Sequence, residues 1–111
     1  MTDVNRRQVQ GKPDVYGQGT LEQVVYIFHL DNMLEGKGVA SSPVCKLWDL
    51  GTGSDVSAGN LSGAASYDGG TFELTSPIVL NLQKDVLYRL VAQVQVGTQQ
   101  LSCYKDIRGE L

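Results

Sequence analysis

The sequence predicts an all-β protein, an antiparallel β-sandwich of about seven strands that follows an extended N-terminal arm. Short segments rich in β-branched and aromatic residues alternate with turn residues at intervals of roughly 8 to 12 positions, as is typical of sandwiches. No stretch of about 12 residues has the 3.6-residue apolar period of a helix. A small β-barrel is the alternative architecture. The 111 residues suffice for one domain that buries a core without disulfides or metal ions.

The first segment of the chain, residues 1–20, differs in composition from the rest. It is polar, contains three glycines and one proline, and has neither of the apolar periods of regular structure. We therefore assign residues 1–20 to the arm and residues 21–111 to the sandwich, and we expect the arm to be dispensable for folding. Its cations Arg6, Arg7 and Lys12 outnumber its two anions, whereas residues 21–111 hold six cations and ten anions. The arm is either a terminus without a binding role or an extended segment that adds to a neighbouring subunit.

Six segments of the sandwich region carry a strand pattern. They are residues 21–30, 44–50, 71–75, 78–82, 86–96 and 101–107. Residues 86–96 form the longest, and their alternation directs Leu90, Ala92 and Val94 to the core of a central strand. Tyr88, near its start, has the position of a tyrosine whose hydroxyl bonds back to the preceding corner of a sandwich. An ordinary core aromatic is the alternative.

Four aspartates lie beside predicted turns, where a carboxylate accepts hydrogen bonds from main-chain amides. They are Asp31, Asp49, Asp55 and Asp68. Because turn formation accounts for each of them, we do not assign them to paired-carboxylate catalysis.

The reactive side chains form no catalytic motif. The single histidine, His29, lies in an apolar strand, and no CxxC or HxxxH spacing joins it to Cys45 or Cys103. We therefore expect a protein that is not an enzyme, with no catalytic residue, no cofactor and no metal ion. The two cysteines are 58 positions apart, similar to those that bridge the two sheets of a sandwich. A reducing cytosol favours free thiols, so a disulfide and two small core residues both stay open.

Charge and hydropathy argue against two classes of partner. Nine scattered Lys and Arg residues and a net charge of −3 do not supply the basic surface that nucleic acid requires. No window approaches about 18 apolar residues, and the polar N-terminus lacks the apolar core of a signal peptide. We therefore expect no membrane partner and synthesis in the cytoplasm, which makes the glycosylation sequence at Asn60 a chance match.

Aromatic side chains raise the alternative of a carbohydrate-binding β-sandwich module, in which flat rings carry sugars. The candidates are Trp48, Tyr67 and Tyr104. Trp48 lies in the middle of a predicted strand, with Val44 and Leu50 on its face, so we expect it in the core.

Residues 44–107 contain the runs VCKLWDLGTGSDVSAGNLSG and TFELTSPIVLNLQKDVLYRLVAQVQVGTQQLSCYKDI. This part of the chain resembles the small immunoglobulin-like virion proteins of tailed bacteriophages. The shared order is a strand with a short turn, a DVS…LSG stretch, a Val-x-Leu strand, a Tyr-Arg-Leu strand, a glycine turn and a last strand. The resemblance implies an immunoglobulin-like sandwich without catalytic residues. It also implies a subunit made in the host cytoplasm and found in the virion, in many copies of a symmetric assembly.

The expected function is that of a structural protein that docks on a phage particle, as a tail or fibre adaptor or as a capsid decoration subunit. Its partners are then other virion proteins. The arm cations Arg6, Arg7 and Lys12 are the predicted partner-binding residues, and their charge predicts attachment that weakens with salt. The alternative docking surface consists of the loops near Gly36, Asp55 and Gly69.

Overall fold

The computed structural model describes residues 5–9, 15–34 and 38–110. Within them, short strands alternate with turns, and two single-turn helices interrupt the strands. The helices are α1, Asp31–Leu34, and α2, Ser57–Asn60. The strands are β1, Asn5–Gln8; β2, Tyr16–Gly19; β3, Val24–His29; β4, Ala40–Asp49; β5, Ser54–Asp55; β6, Leu61–Ser62; β7, Ser66–Asp68; β8, Glu73–Thr75; β9, Ile78–Val79; β10, Leu87–Val96; and β11, Gln99–Glu110.

Two sheets form a sandwich, which confirms the predicted all-β architecture. In the first sheet, the strand order is β6-β9-β3-β8-β7, and β1 pairs with β3 in parallel. In the second sheet, the order is β2-β11-β10-β4-β5. The described strands outnumber the predicted seven because several are ladders of two or three residues. The immunoglobulin-like topology stays a prediction.

The core lies between β3 of the first sheet and β10 of the second. Alternation along β10 places Leu90, Ala92 and Val94 inside, each at most 1% exposed, as the sequence predicts. From β3, Tyr26 and Phe28 enter the same interior. The remaining buried hydrophobic residues of this core are Val24, Leu30, Leu34, Ala40, Cys45, Leu47, Leu74, Val79, Leu82, Tyr88, Val96 and Ile107.

The described residues of the N-terminal segment are strands of both sheets. β1 pairs with β3, β2 pairs with β11, and Gln18 of β2 is fully buried. The extent of the arm, residues 1–20, stays a prediction, and so does its dispensability for folding, against which this pairing argues. The sequence did not predict these pairings because main-chain hydrogen bonds form the ladder between parallel strands, and they require no alternation of apolar side chains.

One corner of the sandwich is fixed by Tyr88. Its hydroxyl, buried at the start of β10, accepts a hydrogen bond of 2.9 Å from the main-chain N–H of Gln83. This bond confirms the predicted corner tyrosine. The end of β11 closes over the same corner, because Gly109 donates its N–H to the carbonyl of Val86 at 2.9 Å and accepts from Asp85 at 2.8 Å.

The first half of β4 is irregular. Ser42 has a positive φ of 53°, the following Pro43 carries no N–H, and the pairing of β4 with β10 shifts register between Gln93 and Gln95. β5 pairs only with Trp48 and Asp49, near the other end of β4.

Candidate functional site

The outward side of the second sheet is the candidate functional site. Since Leu90, Ala92 and Val94 of β10 point inward, the residues between them point away from the core. Register places Trp48 and Asp106 on either side of Arg89, in one row across three strands. The next row contains Lys46, Val91 and Tyr104, and the third contains Val44, Gln93 and Ser102. These nine residues are called the outer face below.

Trp48 is not a core residue, so that prediction was wrong. It is half-buried on the outer face, whereas its neighbour Leu47 is fully buried on the opposite side of β4. The alternation in β4 was read correctly, but neither set of alternating residues is purely apolar. Packing therefore decides which side of β4 faces inward: Cys45 and Leu47 lie in the core between the two sheets, and the larger indole of Trp48 lies outside.

Arg89 is held in place on the middle strand of the outer face. Its Nε donates to Oδ1 of Asp106 at 2.8 Å, and its Nη2 donates to Oδ2 at 3.2 Å. The guanidinium carbon lies 4.1 Å from the ring centre of Tyr104. The hydrogen bonds to Asp106 raise the pKa of Arg89, and the ring adds a cation–π contact. This paired, stacked arrangement orders the long side chain before any partner arrives.

The outer face contains three residue types that are frequent at protein contacts. Trp, Tyr and Arg are the residues that most often dominate binding energy, and Trp48, Tyr104 and Arg89 occupy adjacent rows here. Tyr104 is 57% exposed and Val44 is 44% exposed. This combination offers a partner broad apolar contact area together with hydrogen-bonding groups.

The charges of the outer face are balanced locally. Arg89 is neutralised by Asp106, and Lys46 lies close enough to Asp55 of β5 to lower its pKa slightly. The main causes that lower the Asp55 pKa are hydrogen bonds from the hydroxyl and the main-chain N–H of Ser57, of 2.6 and 2.9 Å. The nine residues of the outer face, taken together with Asp55, therefore carry no net charge.

The structure describes two of the three predicted arm residues, Arg6 and Arg7. Arg6 is exposed on β1, and Lys12 lies outside the described residues. Arg7 is half-buried: it donates to the main-chain carbonyl of Gly17 and lies 3.6 Å from the Glu22 carboxylate. Arg7 thus joins β1 of the first sheet to β2 of the second, which limits its availability to a partner.

The described residues of the alternative loop surface, Asp55 and Gly69, belong to different sheets. Gly36 lies outside the described residues. Gly69 lies in the turn between β7 and β8, whereas Asp55 lies in β5 and pairs with Trp48. Asp55 therefore belongs to the margin of the outer face.

Three of the four turn aspartates cap main-chain amides, as predicted. Asp49 accepts from the N–H of Gly51 at 2.8 Å, and Asp68 accepts from the N–H of Gly70 at 2.8 Å. Asp55 accepts from Ser57, as described above. These three carboxylates therefore stabilise turns.

Cys45 and Cys103 are both free. They pair with the same residue, Ala92, from opposite sides of β10. Two strand spacings of about 4.8 Å place them beyond the Cα separation of roughly 7 Å that a disulfide spans. Burial raises the pKa of the Cys45 thiol to about 12 and that of Cys103 to about 11, so both are weak nucleophiles near neutral pH.

The other candidate groups make local contacts. His29 contacts the side chain of Gln8, and its Nδ1 lies 3.7 Å from the Glu73 carboxylate. Asn60 donates from its amide to the carbonyls of Leu80 and Asn81, which gives it a structural role. Within residues 5–9, 15–34 and 38–110, no group of three His, Cys, Asp or Glu side chains could hold a metal ion. No helix in the same ranges is long and apolar enough to cross a membrane.

No protein-family model matches the chain, and no curated protein matches it either. The functional assignment therefore rests on the residues of the chain itself. Among these, the outer face is the one place where a tryptophan, a tyrosine and an ordered arginine meet at the surface of the described residues.

Proposed function

We propose that the chain is a non-catalytic structural protein of a tailed-phage virion, which joins the particle as a tail or fibre adaptor or as a capsid decoration subunit. The observation that supports the proposal is the outer face, where Trp48 and Tyr104 lie on either side of Arg89 and the Arg89 side chain is already held by Asp106 and Tyr104. The resemblance of residues 44–107 to small phage virion proteins supplies the class of assembly. A sandwich suits this role because its sheet presents a flat and rigid surface.

Binding through the outer face has a different salt dependence from binding through the arm. Because Asp106 already neutralises Arg89, a partner gains apolar contact and hydrogen bonds rather than long-range attraction. Attachment through this face is therefore nearly independent of salt. Attachment that depends on Arg6 and Lys12 weakens as salt screens their charge.

The proposal is tested on virions purified from a phage that carries the gene for this chain. The copy number of the chain per particle is measured by quantitative mass spectrometry, for the unchanged chain and for Trp48→Ser and Tyr104→Ser. We expect the chain in the particles, and at least about a tenfold loss for either variant, as for a central contact residue. Leu21→Ser is the matched control, because Leu21 is 91% exposed and lies between β2 and β3, outside the outer face.

Each outcome of this experiment decides one element of the proposal. Absence of the chain from purified particles would overturn the virion function. Undiminished incorporation of both variants would overturn the role of the outer face. A loss confined to an Arg6→Ala variant, and largest at low salt, would return the contact to the arm.

A carbohydrate-binding module is the second candidate function, since the outward position of Trp48 favours it. Trp48 and Tyr104 lie on one face, in adjacent rows of the sheet, and sugar rings stack on such side chains. Trp48 is the single tryptophan of the chain, so its fluorescence reports binding directly. A saturable change on titration with oligosaccharides, lost in Tyr104→Ser, would establish this function; an unchanged spectrum would exclude it.

A further inference from the structure

We infer that β1 binds an extended segment of a partner protein, in which an acidic residue lies between apolar residues. The segment adds to the first sheet as a further strand, antiparallel to β1. In this contact β1 is the template for an added strand and not the strand that is added. The surface concerned is separate from the outer face, so the inference goes beyond the proposed function.

The main-chain groups of β1 point alternately towards β3 and away from it. Asn5 donates its N–H to the carbonyl of Gln23 at 2.9 Å, so the odd-numbered residues of this parallel pair face β3 and the even-numbered residues Arg6 and Gln8 face away. The carbonyl of Gln8 accepts from the hydroxyl of Tyr16 at 2.9 Å. Within residues 5–9, 15–34 and 38–110, the N–H and carbonyl of Arg6 and the N–H of Gln8 have no hydrogen-bond partner. These three groups are called the open edge below.

The free edge of β2 differs, because other residues already occupy its main-chain groups. Gly19 donates its N–H to Oε1 of Glu22 at 2.6 Å, and its carbonyl accepts from the N–H of Glu22 at 3.0 Å. The carbonyl of Gly17 accepts from the guanidinium of Arg7. Proteins commonly block the sheet edges that they do not use for pairing. The open edge of β1 therefore offers a partner main-chain groups that β2 does not.

A depression beside the open edge fits an apolar side chain. It has a volume of about 500 Å³ and a mostly apolar lining. Residues of β1 and of the start of β2 form it: Arg7, Gln8, Val15, Tyr16 and Gly17. Register pairs Arg7 with Tyr26, which lies in the core. The residue of an added strand opposite Arg7 therefore also points towards the interior, where its side chain meets the depression.

Charge selects an acidic residue opposite Arg6. The side chain of Arg6 is exposed and forms no ion pair within the described ranges, whereas Arg7 lies 3.6 Å from the carboxylate of Glu22. A cation on an edge strand discourages unspecific pairing, but opposite charges in directly opposed positions stabilise it. The partner's segment thus carries an acidic residue opposite Arg6 and an apolar residue opposite Arg7.

The number of available groups sets the strength of this contact. An antiparallel strand exchanges two hydrogen bonds with Arg6 and accepts a third from the N–H of Gln8. Because three main-chain hydrogen bonds and one apolar side chain make a small contact, an isolated peptide should bind with a dissociation constant on the order of 1 mM. A segment that is held nearby by another contact binds more tightly through its higher effective concentration.

NMR titration of the full, ¹⁵N-labelled chain tests the inference. The probe is the acetylated and amidated peptide STVEVTS, whose glutamate and valines alternate as the open edge requires. We expect saturable shifts in β1 and in the residues of the depression, up to about 5 mM peptide. Hydrogen exchange at the amides of Arg6 and Gln8 should slow. The same peptide with an N-methyl group on the glutamate nitrogen should not bind, because it lacks the N–H that the Arg6 carbonyl accepts.

Two substitutions at one position isolate the main-chain contact. Gln8→Pro removes the N–H that points away from β3, and proline is tolerated at such edge positions. Gln8→Ala removes the same side chain and keeps the N–H. Gln8→Pro should weaken peptide binding at least about fivefold relative to Gln8→Ala, which is the worth of one main-chain hydrogen bond. Unchanged protection of the Arg7 amide shows that β1 stays paired with β3 in both variants.

A charge-reversed probe tests the acidic residue. The peptide STVKVTS should bind more weakly than STVEVTS at low salt, and the difference should shrink at high salt. Equal binding of the two peptides at low salt would overturn the acidic class of partner. No saturable shift, shifts confined to the outer face, or equal binding by Gln8→Pro and Gln8→Ala would overturn strand addition at β1. Each of these results is independent of the incorporation of Trp48→Ser and Tyr104→Ser into virions, which tests the proposed function alone.

Discussion

Tyr26 of the first sheet donates its hydroxyl hydrogen bond to Oε1 of Gln18 of the second sheet, at 2.8 Å in the buried interior. The amide of Gln18 donates in turn to the carbonyl of Val79 at 2.8 Å and to that of Glu22 at 3.2 Å. Burial also raises the pKa of Tyr26, so its hydroxyl keeps its proton and stays a hydrogen-bond donor at neutral pH. A polar side chain thus holds β2 inside the sandwich through specific hydrogen bonds.

Replacing Gln18 by Ala should lower the free energy of unfolding by on the order of 3 kcal/mol. The change removes the acceptor of the Tyr26 hydroxyl proton and the donor to the Val79 carbonyl, and each buried group that loses its partner costs about 1 to 3 kcal/mol. Urea titration followed by circular dichroism measures the loss. Gln95→Ala is the control, because Gln95 is exposed on β10 and should change stability by less than about 0.5 kcal/mol.

Two truncated chains separate the contributions of β1 and β2. A chain that begins at Val15 keeps β2, and one that begins at Leu21 loses both strands. The second should be less stable than the first by at least about 3 kcal/mol, since it loses all the hydrogen bonds of Gln18. Equal denaturation midpoints for the two truncated chains and the full chain would support a segment that is dispensable for folding.

Leu90→Ala tests the central position of β10. Leu90 is fully buried in the core, so the change should cost about 2 to 5 kcal/mol through lost burial and the cavity left behind. Leu21→Ala, at a position 91% exposed, should cost almost nothing. A loss of under about 0.5 kcal/mol for Leu90→Ala contradicts the core assignment.

Gly109→Ala tests the close approach of β11 to the corner at Gln83. A Cβ on Gly109 would lie 1.9 Å from the carbonyl oxygen of Gln83, so the main chain must move apart. We expect a loss of about 1 to 3 kcal/mol, as for other overpacked sites. Gly59→Ala is the matched control, since no atom lies within 4 Å of its Cβ. A loss for Gly109→Ala no larger than that for Gly59→Ala would contradict the close packing.

The cysteines predict how stability depends on alkaline pH. Their pKa values rise from 9.0 to about 12 for Cys45 and about 11 for Cys103 in the folded protein. Below pH 9 both states keep the thiol protons. Between pH 9 and 11 the unfolded chain loses them while the folded protein retains them. The free energy of unfolding should therefore fall, by about 1.4 kcal/mol per pH unit for each thiol.

Chemical denaturation at pH 8, 9, 10 and 11 measures this fall. Other groups titrate in the same range, so the comparison is with Cys45→Ala, whose curve should fall less steeply from pH 9 upward. Parallel curves for the two proteins would show that Cys45 ionises equally in both states. We also expect both thiols to react with a thiol-labelling reagent more slowly in the folded protein than in the unfolded chain at pH 8.

The sequence predicted those parts of the fold that depend on apolar alternation. β10 and its buried face, the sandwich architecture and the hydrogen bond of Tyr88 all follow from residue type and spacing. β1 and β2 did not, because Gln18 is buried through hydrogen bonds with residues far along the chain. Such bonds leave no periodic trace in the sequence.

The candidate site was only partly predictable, for a related reason. Composition singled out the arm cations, but Arg7 is engaged in joining β1 to β2. The residues of the outer face depend on which side of β4 points outward. Both sides of β4 carry apolar and polar residues, so the sequence did not decide between them. Arg89 and Asp106 are 17 positions apart, and the register between β10 and β11 brings them together. The sequence showed the alternation within each strand but not this register.

The irregular first half of β4 has a consequence for solubility. An uninterrupted edge strand invites pairing with the edge of another molecule and, at high local concentration, aggregation into fibrils. Here the left-handed backbone of Ser42 and the missing N–H of Pro43 break the row of hydrogen-bonding groups along that edge. This part of the edge is therefore a poor template for main-chain pairing with another molecule.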